Sequence, residues 1–357
     1  MKHGIYALTA VALLCAFWND AHATNESQAA VLLLLIEPGA RAAGLGESFV
    51  TIDDATASYF NPAGLAGQTQ RELTMSHTNW LPALHPSDMY YEFIGYSQYV
   101  EGWGNLGVHA VFFYMGEQER RSETDQPGES FTSYDAVISV AYGARVLENT
   151  SAGVTMKLIQ SHLADRGAGI EKGAGTGYGF AVDLGLVYRP PVRGLKLGLA
   201  LHNMGPKIAY IDAEQADPLP LNIVVGGSYE LMESEYSKVL VLLDLYKPLV
   251  QRENPSLQAV WSGWADEKGK REVEMFGRKV RLPREIAQID LHTGIEYTYG
   301  SFLALRAGYS ADFDGELKTP TFGFGLTYDW VRFDMAYLTA RHTLLENNTR
   351  FSLTFTF

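Results

Sequence analysis

The carboxy-terminal residues 350–357 constrain the fold most, because apolar and polar side chains alternate strictly along them. The apolar positions are Phe351, Leu353, Phe355 and Phe357, and the polar ones are Arg350, Ser352, Thr354 and Thr356. A period of two residues is that of a β-strand, whose side chains point alternately to its two faces. An aromatic strand edge invites aggregation in water, whereas a closed membrane barrel pairs both edges and gives the apolar face to lipid. The pattern therefore favours a transmembrane β-barrel.

The amino-terminal residues have the pattern of a secretory signal peptide. A basic start at Lys2 precedes an apolar run over residues 5–18, and residues 21–23 (Ala-His-Ala) form a small-x-small cleavage site. The apolar run is too short to remain as a spanning helix, which needs about 20 residues. We expect export and cleavage after Ala23. Since Cys15 is the only cysteine, the mature chain would have neither disulfides nor thiol chemistry.

Composition excludes several classes of protein. Hydrophobic residues make up 46% and charged residues 19% of the 357, and the mean hydropathy of −0.08 excludes a bundle of membrane helices. The 35 Gly, 20 Tyr and 17 Phe suit a barrel, in which tight turns and aromatic girdles recur. The net charge of −13 argues against nucleic acid as a partner, because that binding needs a basic face.

Beyond residue 70, alternating segments of roughly ten residues are separated by Gly, Pro, Asn or charged clusters, the pattern typical of a barrel. The segments are close to the ~9–11 residues that a tilted membrane strand needs, and longer than the ~5–6 of an average soluble strand. They predict an all-β, antiparallel barrel of about 14 strands. The predicted strands are 72–79, 89–100, 104–115, 131–146, 151–163, 177–189, 194–202, 221–231, 237–246, 288–300, 302–310, 319–329, 331–340 and 348–357.

The connections between the predicted strands differ in length, and the short ones suit the periplasmic side of a barrel. The longest connection, 247–287, contains Trp261, Trp264 and Phe276 among many charged residues. A loop of this length is usually functional or disordered. Its aromatic residues favour an ordered contact surface, with these three side chains as candidate contacts and with room for a short helix.

Residues 24–70 differ from the rest, because they are rich in small residues and show no sustained alternation. We expect them to fold back into the lumen as a plug ahead of the barrel, residues 71–357. The candidate plug motif consists of Arg41, Gly44, Gly46, Asp53, Asp54, Asn61, Pro62 and Gly64. Its glycines permit close backbone approach, and its Asn-Pro pair favours a turn. The adjacent aspartates are too few ligands for Ca²⁺, so an ion pair that fixes the plug is the better interpretation.

Two parts of this segment resemble a known family. The residues 40–46 (ARAAGLG) and 53–67 (DDATASYFNPAGLAG) are similar to the amino-terminal signature of the PorV/PorQ family, which is related to FadL-type outer-membrane transporters. Residues 76–82, 201–205 and 218–222 are also similar, so the resemblance extends over most of the mature chain. In addition, the terminal Phe355 and Phe357 resemble the assembly signal of bacterial outer-membrane barrels.

The resemblance implies a fourteen-stranded barrel with an amino-terminal segment in its lumen and a role in type IX secretion. PorV-like proteins bind the carboxy-terminal sorting domain of cargo and carry it from the translocon to the attachment machinery. The implied partners are outer-membrane lipid, translocon and attachment-complex proteins, and secreted cargo. A PorQ-type role in the same apparatus stays open, as does the FadL-like transport of hydrophobic small molecules through the barrel wall.

Candidate chemical sites are weak. The glycine-rich residues 173–179 mimic a phosphate-binding loop, but they lead into a predicted strand and not into a helix. Asp290, His292 and Glu296 share one strand face, where a polar network of the lumen explains them better than catalysis or a metal. An enzyme acting on lipid would need a cluster of Ser, His and acid that the sequence does not supply. We expect no catalytic residue, no metal and no cofactor.

Overall fold

The computed structural model describes residues 29–82, 88–121, 127–164, 175–250, 258–260, 264, 270–275, 278–313, 315, 317–339 and 348–357. Within these residues, fourteen antiparallel strands close into a barrel, and the first strand pairs with the last. The predicted fold class is therefore confirmed. The predicted signal peptide, residues 1–23, lies outside the described residues.

The strands are numbered along the chain. They are β1 (Glu72–Asn79), β2 (Tyr90–Val100), β3 (Gly104–Arg121), β4 (Pro127–Leu147), β5 (Thr150–His162), β6 (Thr176–Tyr188), β7 (Leu195–Met204), β8 (Asn222–Glu233), β9 (Ser237–Pro248), β10 (Lys270–Met275), β11 (Arg278–Pro283), β12 (Asp290–Tyr299), β13 (Leu303–Asp312), β14 (Leu317–Tyr328), β15 (Val331–Leu338) and β16 (Asn348–Thr356). The short helices are α1 (Ala40–Gly44), α2 (Ala57–Phe60) and α3 (Arg284–Ala287), and 3₁₀ turns cover Leu32–Leu35, Pro62–Gly67 and Ala213–Gln215.

Each barrel strand pairs with its sequence neighbours, except that β9 pairs directly with β12. The two strands between them, β10 and β11, form a separate hairpin within the loop 247–287. The sequence pattern did not predict this hairpin, because each of its strands has only six residues and most of them are charged. It also placed a connection at 116–130, where β3 and β4 in fact continue pairing past the membrane-facing residues.

The wall shows the alternation that the sequence predicts. Along β6, Tyr178, Phe180 and Leu184 are exposed on the outside, whereas Ala181 and Asp183 are buried on the inside. Aromatic rings mark both borders of the outer apolar band. One border has His77, Tyr90, Tyr114, Tyr134 and His162, and the other has Trp103, Tyr299, Phe302, Tyr328, Trp330 and Phe357. These rings form the two girdles expected at the membrane interfaces.

The two ends of the barrel differ. The turns between β2 and β3, β4 and β5, β8 and β9, β12 and β13, and β14 and β15 are short and lie at the end that also contains Phe357. The long connections all lie at the opposite end. Since short turns face the periplasm in outer-membrane barrels, we expect the end with the long connections, where the loop 247–287 begins and ends, to be the extracellular one. None of the helices in the described ranges has the length and apolarity that a membrane-crossing helix requires.

Candidate functional site

Residues 29–70, called the inner segment below, contact inward-facing side chains of the barrel wall almost all the way round. α1 lies against β13, β14, β15 and β16, and the 3₁₀ turn Pro62–Gly67 lies against β3, β4, β5 and β6. The polypeptide between them reaches β9 and β8, where Asp244 and Ser228 bind it. The segment thus follows the inner circumference of the barrel.

Arg41 anchors α1 to the wall through two carboxylates. Its Nε and Nη2 donate to the two carboxylate oxygens of Glu296 at 3.0 and 2.8 Å, and its Nη1 donates to Asp54 at 3.0 Å. Burial alone would lower the pKa of the Arg41 guanidinium, but these carboxylates hold that pKa well above its ordinary value. Bidentate pairing of this kind fixes orientation as well as charge. Arg41 therefore connects two parts of the inner segment to β12.

Further ion pairs connect Glu296 to inward-facing residues of neighbouring strands. Arg306 donates to Glu296 at 2.6 Å and to Asp334 at 2.7 Å, and Arg332 donates to Asp334 at 2.9 Å. With Arg41 and Asp54, the network alternates three guanidinium and three carboxylate groups, so each buried charge has opposite charges beside it. Such balance is what makes buried ions tolerable.

Asp53, the neighbour of Asp54, has a different partner. Its carboxylate accepts a hydrogen bond from Lys196 of β7 at 2.9 Å. Burial opposes ionisation of Asp53, but the Lys196 ammonium outweighs it and lowers the pKa of that carboxyl. The two adjacent aspartates thus bind different parts of the structure, and no group of three or more potential metal ligands occurs among the described residues.

Asn61 and Pro62 hold the second half of the inner segment. The Asn61 side chain is fully buried, accepts from the Ala63 N–H at 3.1 Å, and donates to the carbonyls of Val50 at 2.8 Å and Leu186 at 3.1 Å. Pro62 follows at the first position of the 3₁₀ turn, where its missing N–H costs nothing. Asn61 therefore joins two stretches of the inner segment to β6.

Inward-facing glycines let the inner segment lie directly on the backbone of the wall. A Cβ built on any of six of them would come within 2.8 Å of an inner-segment atom. They are Gly143, Gly153, Gly185, Gly198, Gly294 and Gly308. At Gly308 the distance would be 2.1 Å, to the backbone N of Gly46. Gly46 itself has a φ of +65°, which favours glycine. We call these six residues the glycine row.

Wall side chains also bind the inner-segment backbone. The Asp244 carboxylate accepts hydrogen bonds from the N–H groups of Phe49 and Val50 at 2.6 and 2.9 Å. On the other side of the barrel, the N–H of Ala40 donates to Ser352 Oγ at 2.7 Å. Three of the eight predicted motif residues, Gly44, Gly46 and Gly64, make close backbone contacts. The N–H of Gly46 also donates to Thr321 Oγ1 at 3.1 Å.

The free space beside the inner segment is small. A cavity of about 40 Å³ lies between the segment and strands β5, β7, β8 and β9. Its lining includes Leu34, Phe49, Tyr59, Phe60, Lys157, His202 and Tyr246. Sites for drug-sized ligands have volumes of about 300–1,000 Å³, so this cavity suits a few water molecules.

Three of the remaining predicted site residues, Phe355, Phe357 and Trp264, are among the described residues. Phe355 and Phe357 of the terminal strand pack on Trp330, with ring centroids 5.6 and 6.4 Å apart, and the Phe357 N–H donates to the Arg71 carbonyl at 2.9 Å. Trp264 is half-exposed in the extracellular loop. The candidate contacts Trp261 and Phe276 lie outside the described residues.

The structure does not unite the polar residues of β12 into a chemical site. Glu296 binds Arg41 and Arg306, whereas His292 contacts the Gly46 carbonyl at 3.0 Å. The pattern of β12 indicates Glu296 in the sequence but not its partners, and no pattern in the sequence indicates Asp244 or Lys196. The glycines on the inward faces of neighbouring strands were a usable signal for a tightly packed lumen.

Several solved structures are similar to this chain. The Pseudomonas putida toluene transporter TodX has a TM-score of 0.52 and 14% identity, covering 90% of this chain and 96% of that chain. The Ralstonia pickettii toluene transporter TbuX has a TM-score of 0.50 and 12% identity, covering 89% and 97%. At these identities the similarity shows the fold alone. A search of curated proteins found no match.

The sequence identifies the family more specifically than the fold does. The family model described as "Type IX secretion system protein PorV" matches residues 19–255, which is more than half of the 357 residues. The match includes the inner segment, with Arg41 and the Asn61-Pro62 turn, and it ends before Glu296, the wall partner of Arg41. This chain belongs to the PorV family of outer-membrane β-barrels.

Proposed function

We propose that this protein acts in type IX secretion by binding cargo that carries a carboxy-terminal sorting domain and shuttling it from the translocon to the attachment machinery. Membership of the PorV family is the observation that carries the proposal. The barrel anchors the protein in the outer membrane, and the long extracellular loops offer the surface on which cargo docks. The mechanism needs only capture and release, with no covalent chemistry by this chain.

The attachment of the inner segment to the wall favours docking of cargo outside the barrel over passage of cargo through the barrel. We propose that it acts as a plug, because buried ion pairs, the glycine row and the Asp244 hydrogen bonds fix it to the wall on opposite sides. A folded sorting domain is far larger than the 40 Å³ cavity that the segment leaves. Cargo would therefore stay on the extracellular face.

Affinity purification from mildly solubilised outer membranes, followed by mass spectrometry, tests the proposal. We expect translocon and cargo proteins to be recovered with the wild-type protein. The variant W264A alters the extracellular loop, and W103A removes an exposed tryptophan at the periplasmic rim as a matched control. Loss of cargo with W264A but not with W103A supports docking at the loops. Absence of translocon and cargo from all samples contradicts the proposal.

A second candidate function is transport of hydrophobic small molecules, as named for the similar structures. One observation favours it: the pairing of β6 with β7 extends only to Val182 and Met204, beside a left-handed residue at Asn203 with a φ of +62°. The extracellular half of β6 is thus not continued by β7. The small volume of the cavity beside the inner segment, about 40 Å³, argues against transport. Uptake of toluene into liposomes containing the protein, at a rate above that of empty liposomes, would favour transport.

A further inference from the structure

The apolar outer face of the barrel is interrupted on β1 and β2. There, His77 and Glu92 face outward and lie directly opposite each other in the pairing of the two strands. Their side chains are 45% and 46% exposed, and His77 Nδ1 donates to Glu92 Oε1 at 2.7 Å. Asn79 completes the group, because its Oδ1 lies 3.1 Å from His77 Nε2. We call these three residues the outer polar patch.

Apolar side chains lie beside the outer polar patch on the same outward face. Phe351 of β16 is opposite His77, and Phe112 of β3 is opposite Glu92. The next outward residues toward the periplasmic end are exposed and apolar, namely Met75 and Ile94. The patch is therefore bordered by lipid-facing residues on both sides and on its periplasmic side.

The depth of the patch follows from the geometry of β1. This strand begins at Glu72, immediately after the residue whose backbone pairs with that of Phe357 at the periplasmic border. His77 is five residues further along, which on a strand tilted by about 40° corresponds to about 13 Å along the membrane normal. The apolar band of such barrels is about 25 Å tall. His77 therefore lies close to half the height of that band.

The wall is unusual in this sector. On β6, apolar and aromatic outward residues extend over ten residues, from Tyr188 to Tyr178, whereas on β1 only Leu73 and Met75 precede the patch. In the described part of the chain, β1, β15 and β16 are the shortest strands of the wall, with eight, eight and nine residues. A membrane strand needs about 9–11 residues, so this sector covers less of the hydrocarbon than the other strands do.

Lipid is a poor environment for the Glu92 carboxylate. Charged groups on the lipid face of a barrel are most unfavourable at mid-membrane depth. The His77 imidazole binds one oxygen of Glu92, but Oε2 makes no hydrogen bond to any described residue. Acyl chains have no donor to offer, and lipid head groups lie beyond the hydrocarbon. A protein side chain at the same depth can supply the missing donor.

We propose that the outer polar patch is the contact site of a second integral outer-membrane protein, whose outward face supplies a hydrogen-bond donor or a cation to Glu92. The negative charge of Glu92 argues against a phosphorylated lipid, since the two would repel each other. Two copies of this chain, related by a two-fold axis at the patch, would bring their Glu92 carboxylates together, so a different protein is favoured. The proposal goes beyond cargo binding and does not depend on it.

Photo-crosslinking in intact outer membranes tests the proposal. Benzoylphenylalanine is introduced in place of Met75, next to the patch, or in place of Met156, which is exposed on the outward face of β5. Mass spectrometry identifies the adducts. The variant H77L/E92L makes the patch apolar, and the control Q160L/H162L replaces an outward amide and an outward histidine on β5 in the same way. Heat-modifiable migration on gels verifies folding of every sample.

We expect an adduct with one integral outer-membrane protein from position 75 and little or none of it from position 156. H77L/E92L should lower this adduct about tenfold, as expected for the loss of a hydrogen bond to a charged group, whereas Q160L/H162L should leave it unchanged. Purified H77L/E92L should fold in liposomes at the wild-type yield or above, because its wall becomes more apolar.

Four results would each overturn the proposal. They are adducts with lipid alone, adducts with a second copy of this chain, equal adducts from both positions, and an adduct that H77L/E92L does not lower. Failure of H77L/E92L to fold in liposomes would also overturn it, because the pair would then serve the barrel itself.

Discussion

Arg41 and Glu296 are 255 positions apart in the sequence, yet two hydrogen bonds of 3.0 and 2.8 Å join the guanidinium to the carboxylate. The pair connects the inner segment to β12, in the second half of the barrel. Glu296 also binds Arg306, so this contact belongs to a network of ion pairs along the inner face of the wall. One network of ion pairs therefore joins the inner segment to the barrel wall.

The first prediction concerns this pair. Arg41→Ala leaves three buried carboxylates, those of Asp54, Glu296 and Asp334, against two guanidinium groups, so one buried negative charge is no longer balanced. We expect a loss of about 3–5 kcal/mol in the free energy of unfolding. Thermal unfolding in detergent, followed by circular dichroism, measures the loss. Arg193→Ala is the control, because its ion pair with Glu233 is at the surface and contributes less than about 1 kcal/mol. Equal melting temperatures for both variants would refute the role of Arg41.

The second prediction concerns the glycine row. In Gly185→Ala the new methyl group would lie 2.0 Å from Asn61 Oδ1, 3.0 Å from Pro62 Cδ and 3.1 Å from the backbone N of Ala63, so the Asn61 side chain and the turn after it have to shift. Overpacking of this kind costs about 1–3 kcal/mol. We expect a higher conductance in planar bilayers, because the displaced segment opens the lumen. Gly179→Ala, on the same face of β6, meets its nearest atom at 3.6 Å and should conduct like the wild type. Identical conductance of the two variants would contradict the packing argument.

The third prediction concerns Asn61. Asn61→Ala removes the hydrogen bond to the Ala63 N–H and leaves the carbonyls of Val50 and Leu186 without this donor. A buried polar group without its partner costs about 1–3 kcal/mol. We expect faster proteolysis of the inner segment in folded protein. Asn149→Ala, in an exposed turn, serves as the control, and equal proteolysis rates for the two variants would count against the prediction.

The fourth prediction concerns the terminal aromatic residue. Deletion of Phe357 removes its ring from Trp330 and its hydrogen bonds with Arg71, next to the seam between β1 and β16. We expect less heat-resistant folded protein in the outer membrane, measured by gel migration with and without boiling. Phe302→Ala removes an exposed aromatic ring from the same rim without touching the seam. Unchanged levels of folded protein after the deletion would contradict the prediction.

The barrel could be predicted from sequence because its determinants are local. In a strand such as β6 an apolar outward face alternates with a smaller or more polar inward face, so alternation alone gives the position of the strand and the direction of Asp183. The same logic fails for the hairpin of β10 and β11. There, Glu272, Lys279 and Arg281 share a solvated face, and burial of Val273 depends on the fold around it.

The sequence does not indicate which wall residue each residue of the inner segment contacts. Arg41, Asp53 and Asn61 stood out by motif, but their partners Glu296, Lys196 and the Leu186 carbonyl come from distant strands. Which inward polar residue meets which part of the segment depends on the path of the segment around the wall. That path depends on the tertiary structure, and the periodicity of the sequence gives no information about it.

The bond between Ala40 and Ser352 has a consequence for the order of assembly. Ser352 lies on β16, the strand that completes the ring by pairing with β1. The inner segment precedes β1 in the chain and is held by strands from both sides of that junction. Entry of this segment into a barrel that is already closed would require backbones now in van der Waals contact to slide past each other. We therefore expect the wall to close around the segment, with the pairing of β1 and β16 as the last step.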